Sequence, residues 1–156
     1  MIRVIMLDSG PLGLISNSRG GEATRHCNRW LDRLRDNGVR IVISAIVEFE
    51  VRRELVLAGR RPSIAVLNEV VLQSIYAPVT EDVVLRASEL WAESRRKGRP
   101  TADPLALDAD VLIAAQAACL EDEGFDVVVA TFNAAHVGRY VPAKSWTEIE
   151  PEENDA

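Results

Sequence analysis

The chain has 156 residues, 47% hydrophobic and 27% charged, with a formal net charge of −6. That suffices for one domain with a real core, and it argues against binding nucleic acid through overall positive charge. It leaves nucleic-acid chemistry open, since attraction depends on where charge sits and a metal ion adds local positive charge.

Residues 2–7 are apolar apart from Arg3 and rich in β-branched side chains, then close on Asp8-Ser9-Gly10-Pro11. Such a run reads as a buried strand followed by a turn. Residues 22–36 place Ala23, Cys27, Trp30, Leu31 and Leu34 near one helical face, and Asn37-Gly38 stops the helix. Residues 39–43 form a second apolar strand. Ser44 is positioned as the N-cap of a helix over 45–57 that ends at Gly59. Pro62 opens a helix to about residue 70, a weaker strand follows over 72–77, and Thr80 with Glu81 and Asp82 starts a helix reaching about Lys97.

A polar, proline-containing loop covers 98–107. The helix over 108–120 is apolar all round, which predicts burial. Residues 125–130 give a third strand, and the acidic tail, 150–156, is expected to be frayed. Cys27 and Cys119 both fall in helical segments without metal-ligand spacing and read as reduced packing residues. No stretch nears the roughly 18 apolar residues of a membrane span. The N-terminal apolar run is too short for a signal peptide, so a cytoplasmic protein is expected.

Strands apolar on both faces and alternating with helices imply an α/β domain over 1–149, a three-layer α/β/α sandwich with a central parallel sheet. The site of such a sheet lies beyond the carboxyl ends of its strands. Three carboxylates suit that place. Asp8 follows the first strand. Glu50 lies in the second turn of the helix after the second strand, beside the inner side defined by Ile46, Val47, Val51 and Leu55, whereas Glu48 and Glu54 point elsewhere, as ordinary surface residues. Asp108 and Asp110 stand about 200° apart on their helix, so they cannot be aimed alike. Asp108 suits the N-cap and Asp110 the inner first turn. Thr131 and Asn133 put short polar groups after the third strand, Asn133 as a cap for a short helix, and His136 reads as a hydrogen-bonded packing residue. Each carboxylate also has a plainer reading as a cap or a helix-dipole partner. Converging carboxylates repel one another, and Mg²⁺ or Mn²⁺ with oxygen ligands relieves that repulsion. On this reading Asp8→Ala raises or leaves unchanged the metal-free melting temperature.

Four pieces in order, Leu7-Asp8-Ser9, Ile43-Ser44-Ala45-Ile46 leading to Glu50, Asp110-Val111-Leu112-Ile113-Ala114-Ala115, and Val129-Ala130-Thr131-Phe132-Asn133, resemble the PIN-domain family, which includes the VapC toxins of toxin–antitoxin pairs. The resemblance spans roughly residues 2–142, and Gly98-Arg99-Pro100 is similar to the loop before the family's acidic helix. It implies a Rossmann-like PIN fold and Mg²⁺- or Mn²⁺-dependent endoribonuclease activity. Asp8 and Asp110 are then metal ligands, with Glu50 a ligand or acting through water, and all three are catalytic. Asp108, Thr131 and Asn133 are secondary site residues, and Arg52, Arg53 and Arg99 are candidate RNA contacts. The resemblance further implies an RNA substrate, an antitoxin protein as partner for toxin members, and a homodimer.

Two departures bear on metal affinity and rate rather than on fold. Asn133 and His136 stand where family members often carry an acid after the threonine, and Gly10 stands where asparagine is common. Two arginines beside Glu50 are more charge than the usual toxin helix carries, so a PIN nuclease outside the toxin group stands as an option beside the toxin. The competing reading is a PIN-like RNA- or protein-binding module with weak or no catalysis. A phosphatase of the haloacid-dehalogenase type needs an acid at position 10, and no Gly-x-x-x-x-Gly-Lys phosphate loop is present.

Overall fold

A computed structural model describes residues 1–98 and 107–151. The expectations for Arg99, for most of the 98–107 loop and for the tail beyond residue 151 therefore lie outside the described residues.

The three strongest apolar runs form the middle of the sheet. Strand β1 (Arg3–Leu7) is central, with β2 (Arg40–Ser44) on one side and β4 (Asp126–Ala130) on the other. Leu7 aligns with both Ile43 and Ala130, so the three strands end side by side. Short β3 (Ile75–Ala77) and β5 (Ala143–Lys144) complete the parallel order β3-β2-β1-β4-β5. Val4, Ile5, Met6 and Leu7 are almost fully buried, as a strand covered on both faces requires.

Seven α-helices flank this sheet among the described residues, giving the three-layer α/β/α architecture. The expected turn after β1 is instead the start of helix α1 (Ser9–Ser16), with Asp8 as its N-cap. Gly10 and Pro11 read as turn residues, but proline is tolerated in a first helical turn because the amide it lacks has no intrahelical partner there. Helix α2 (Glu22–Asp36) has the expected bounds, and Gly38 ends it at φ +75°. Helices α3 (Ala45–Leu57) and α4 (Arg61–Leu72) follow β2. Residue 72 belongs to α4, so the weak strand is shorter than expected.

Helix α5 (Glu81–Arg96) packs on α6 (Ala109–Asp122), with Val83, Ala87, Val111 and Ala115 between them. Val111 and Ile113 through Ala118 are all buried, in line with the helix's apolar sequence. After β4 comes the single turn α7 (Ala134–Val137). The C-terminal segment crosses back over α2. Trp30 Nε1 donates to the Ile149 carbonyl at 2.8 Å, and the Trp30 and Trp146 rings lie 5.7 Å apart. Arg33 and Glu150, both exposed, approach to 3.8 Å. Both cysteines are free, and burial pushes the Cys27 thiol up to about 12. No helix among the described residues is long and apolar enough to cross a membrane.

Candidate active site

The chain runs β1, β2, β3 in one direction, then crosses to β4 on the opposite side of β1. The gap between β1 and β4 is thus the topological switch point, where the connections diverge and leave a crevice at the carboxyl edge. Asp8 and Thr131 are the first residues beyond these two strands. Both are buried, with Asp8 6% and Thr131 1% exposed.

Asp8 is held by both oxygens. Its Oδ1 accepts the Ser9 amide at 2.8 Å, capping α1, and its Oδ2 accepts the Thr131 hydroxyl at 2.6 Å. Thr131 Oγ1 in turn accepts the Asn133 amide at 2.9 Å. A carboxylate has about four lone-pair sites, so this arrangement fixes Asp8 and still leaves acceptor capacity for the cleft. Asn133 occupies the position before α7, as expected, but its side chain makes no capping hydrogen bond. The backbone amide, by closing the turn on Thr131, is what binds it to the site.

Glu50 comes from α3, started directly at the end of β2 by Ser44, whose Oγ accepts the Ile46 amide at 3.0 Å. Asp110 comes from the first turn of α6, capped by Asp108 Oδ1 accepting the Val111 amide at 3.1 Å. Both acids are half-buried. Burial first, then the charges of Asp8 and Asp110, raise the Glu50 carboxyl above its ordinary value, while Arg53 opposes the shift. Burial, then Asp8 and Asp108, raise Asp110, and His136 opposes. Asp8 thus perturbs the two other acids, and Asp110 also perturbs Glu50. These segments are remote in sequence and neighbours in space.

The three do not form a closed ligand set. Among the described residues no group of three or more His, Cys, Asp or Glu side chains is placed to hold one ion. The donor chemistry nevertheless fits a hard divalent cation: every donor is an oxygen, and two of the acids resist ionisation, first through burial and then through the negative charge of Asp8. A groove of about 320 Å³ runs beside Glu50, with Ser9, Gly13, Arg53 and Leu55 also in its wall.

The arginines divide. Arg52 is tied to Glu48 and to Asn68, each at 2.8 Å, which turns it away from the role of an available RNA contact. Arg53 lies 5.3 Å over the Phe49 ring and acts on Glu50. Glu48, expected as an ordinary surface residue, is instead only 20% exposed and holds Arg52. His136 was expected as a packing residue, and its charge interaction with Asp110 went unread. Also missed was Phe132, 64% exposed between Thr131 and Asn133, packed on Gly10. An aromatic directly after a strand end, flanked by polar residues, was its one signal.

No protein-family model and no curated protein matches the chain. Solved structures do. The chain is similar to VapBC2 from Rickettsia felis, bound to a DNA fragment from its promoter, at 19% identity and a TM-score of 0.69, covering 92% of this chain and 98% of that one. It is similar to VapBC-1 from nontypeable Haemophilus influenzae at 19% identity and a TM-score of 0.66, covering 93% and 99%. VapC20 from Mycobacterium tuberculosis, a Sarcin-Ricin loop cleaving toxin, matches at 17% identity and a TM-score of 0.56, covering 88% and 96%. The fold is therefore the PIN-like fold of VapC toxins.

Proposed function

We propose that the chain is a metal-dependent endoribonuclease, the toxin member of a toxin–antitoxin pair, with Asp8, Glu50 and Asp110 holding Mg²⁺ or Mn²⁺. The observation that carries this reading is that Asp8, at the switch point of a parallel sheet, adds by its charge to the raised state of two half-buried acids from two other segments, Glu50 and Asp110. The fold shared with an RNA-cleaving toxin supports it. When bound, the divalent cation supplies positive charge against the charge developing on phosphate oxygens and makes water more acidic.

The chain's own residues have distinct tasks on this reading. Thr131 and the Ser9 amide orient the Asp8 carboxylate before anything binds, so little reorganisation is needed. Glu50 and Asp110 bring two further carboxylates, Glu50 reaching the cation directly or through a water. Asp108 starts the helix that carries Asp110. Arg53 stands by Glu50 as the cation for an incoming phosphate.

A protein partner belongs to the same reading, since two of the similar structures are VapBC complexes. Val56, Leu57, Leu72, Ile75 and Tyr76 are exposed side chains that such a partner, or a second copy of the chain, would cover. The deciding experiment incubates purified protein with RNA and Mn²⁺, with chelator as control. Cleavage by the wild type and none by Asp8→Asn is expected. RNA binding without cleavage by either overturns the enzyme and leaves a binding module.

A further inference from the structure

Phe132 is not merely another exposed apolar side chain. A Cβ at Gly10 would lie 2.6 Å from two carbons of the Phe132 ring, so the ring fills the space of a side chain at position 10 and rests on the first turn of α1. Its backbone is equally fixed. On one side Thr131 donates to Asp8; on the other the Asn133 amide closes onto Thr131. Single exposed apolar residues are ordinary on surfaces. An aromatic ring seated on Gly10, one residue beyond the Thr131 that binds Asp8, with 64% of its surface open, is a prepared contact.

The charge of the site says what that contact is for. Acids that already repel one another also repel an RNA backbone, and the chain as a whole carries −6. A base stacked on an aromatic ring gains affinity without involving charge. Only an unpaired base offers its face, because a base inside a duplex is already stacked on both sides.

We infer that Phe132 is a stacking platform for an unpaired base next to the scissile phosphate. The inference rests on the ribonuclease reading above. Gly10 is its support, since only glycine leaves room for the ring. The contact tolerates any base, because every base has a π face.

The test uses RNA oligonucleotides carrying 2-aminopurine at successive unpaired positions, bound by Glu50→Gln protein so that nothing is cut. A parallel cleavage assay uses the full chain with native residue 50 and Mn²⁺. One 2-aminopurine position is expected to be quenched on binding. Phe132→Leu should abolish that quenching, weaken affinity by about tenfold, within the range of base–aromatic stacking, and raise KM more than it lowers kcat. Phe132→Trp should restore all three. If the wild type cuts RNA while Phe132→Leu retains quenching and KM, this inference falls and the ribonuclease reading stands. If Phe132→Trp fails to rescue although its melting temperature is native, stacking is likewise overturned. A wild type that neither binds nor cuts RNA removes both.

Discussion

Replacing Asp8 separates its two roles, as helix cap and as cleft carboxylate. Asp8→Ala removes the acceptor of the Ser9 amide, a cap worth about 1 kcal/mol. It also strands the Thr131 hydroxyl, which is buried, at a cost of about 1–3 kcal/mol. Relief of repulsion with the half-exposed Glu50 and Asp110 returns only about 0.5 kcal/mol after solvent screening. The net loss is about 2 kcal/mol, or a fall of roughly 4–8 °C in melting temperature for a chain of this length. The sign is opposite to that expected from repulsion alone, because the sequence does not reveal the Thr131 bond. Asp8→Asn keeps an oxygen for the Ser9 amide and places its NH2 where the Thr131 hydroxyl can accept from it, while removing the charge, so its metal-free melting temperature should stay within about 3 °C of wild type, again roughly 2–4 °C per kcal/mol. Thermal denaturation at pH 7 in chelator decides it. An Ala variant as stable as the Asn variant would show that the carboxylate holds neither donor, and the preorganised Asp8 would be lost from the mechanism.

Other outcomes follow from the same geometry. Both Glu50 and Asp110 have folded-state values raised above their unfolded ones, so each favours folding fully below its unfolded value and loses that contribution as pH rises through the folded value. Urea midpoints in chelator should therefore show the Glu50→Gln, Asp110→Asn double variant gaining stability over wild type as pH goes from 4 to 7, and Mn²⁺ should shrink the gap; a pH-independent difference refutes the coupling. Each single change should lower Mn²⁺-dependent cleavage by at least about a hundredfold, given that removing one group of an acting set commonly costs that much. Thr131→Val should cost about 1–3 kcal/mol by leaving the Asn133 amide without its acceptor and Asp8 without its donor, read as a lower urea midpoint. Ser44→Ala, at the cap of the Glu50 helix, should cost about 1 kcal/mol.

Much of the fold was legible in the chain. Three apolar runs without alternation announced strands covered on both faces, and β1, β2 and β4 are those strands. The uniformly apolar 108–120 segment announced a buried helix. Periodicity and capping residues are local signals, and they operate within a few turns or one strand. The same logic failed at α1, where glycine and proline spoke for a turn, and at β5, whose two residues hold no period.

What the sequence by itself determined was the inventory: acids at strand and helix ends, with a threonine and an asparagine after the last long strand. The tertiary structure decided their company. That β4 returns beside β1 rather than beyond β3 brings the Thr131 hydroxyl to Asp8 and the first turn of α6 near Glu50. Strand order sets this, through contacts between residues at opposite ends of the chain, and no local pattern encodes it. The glycine at position 10 makes the same point. It looked like a turn signal, and it is small because a phenylalanine from far along the chain rests on it.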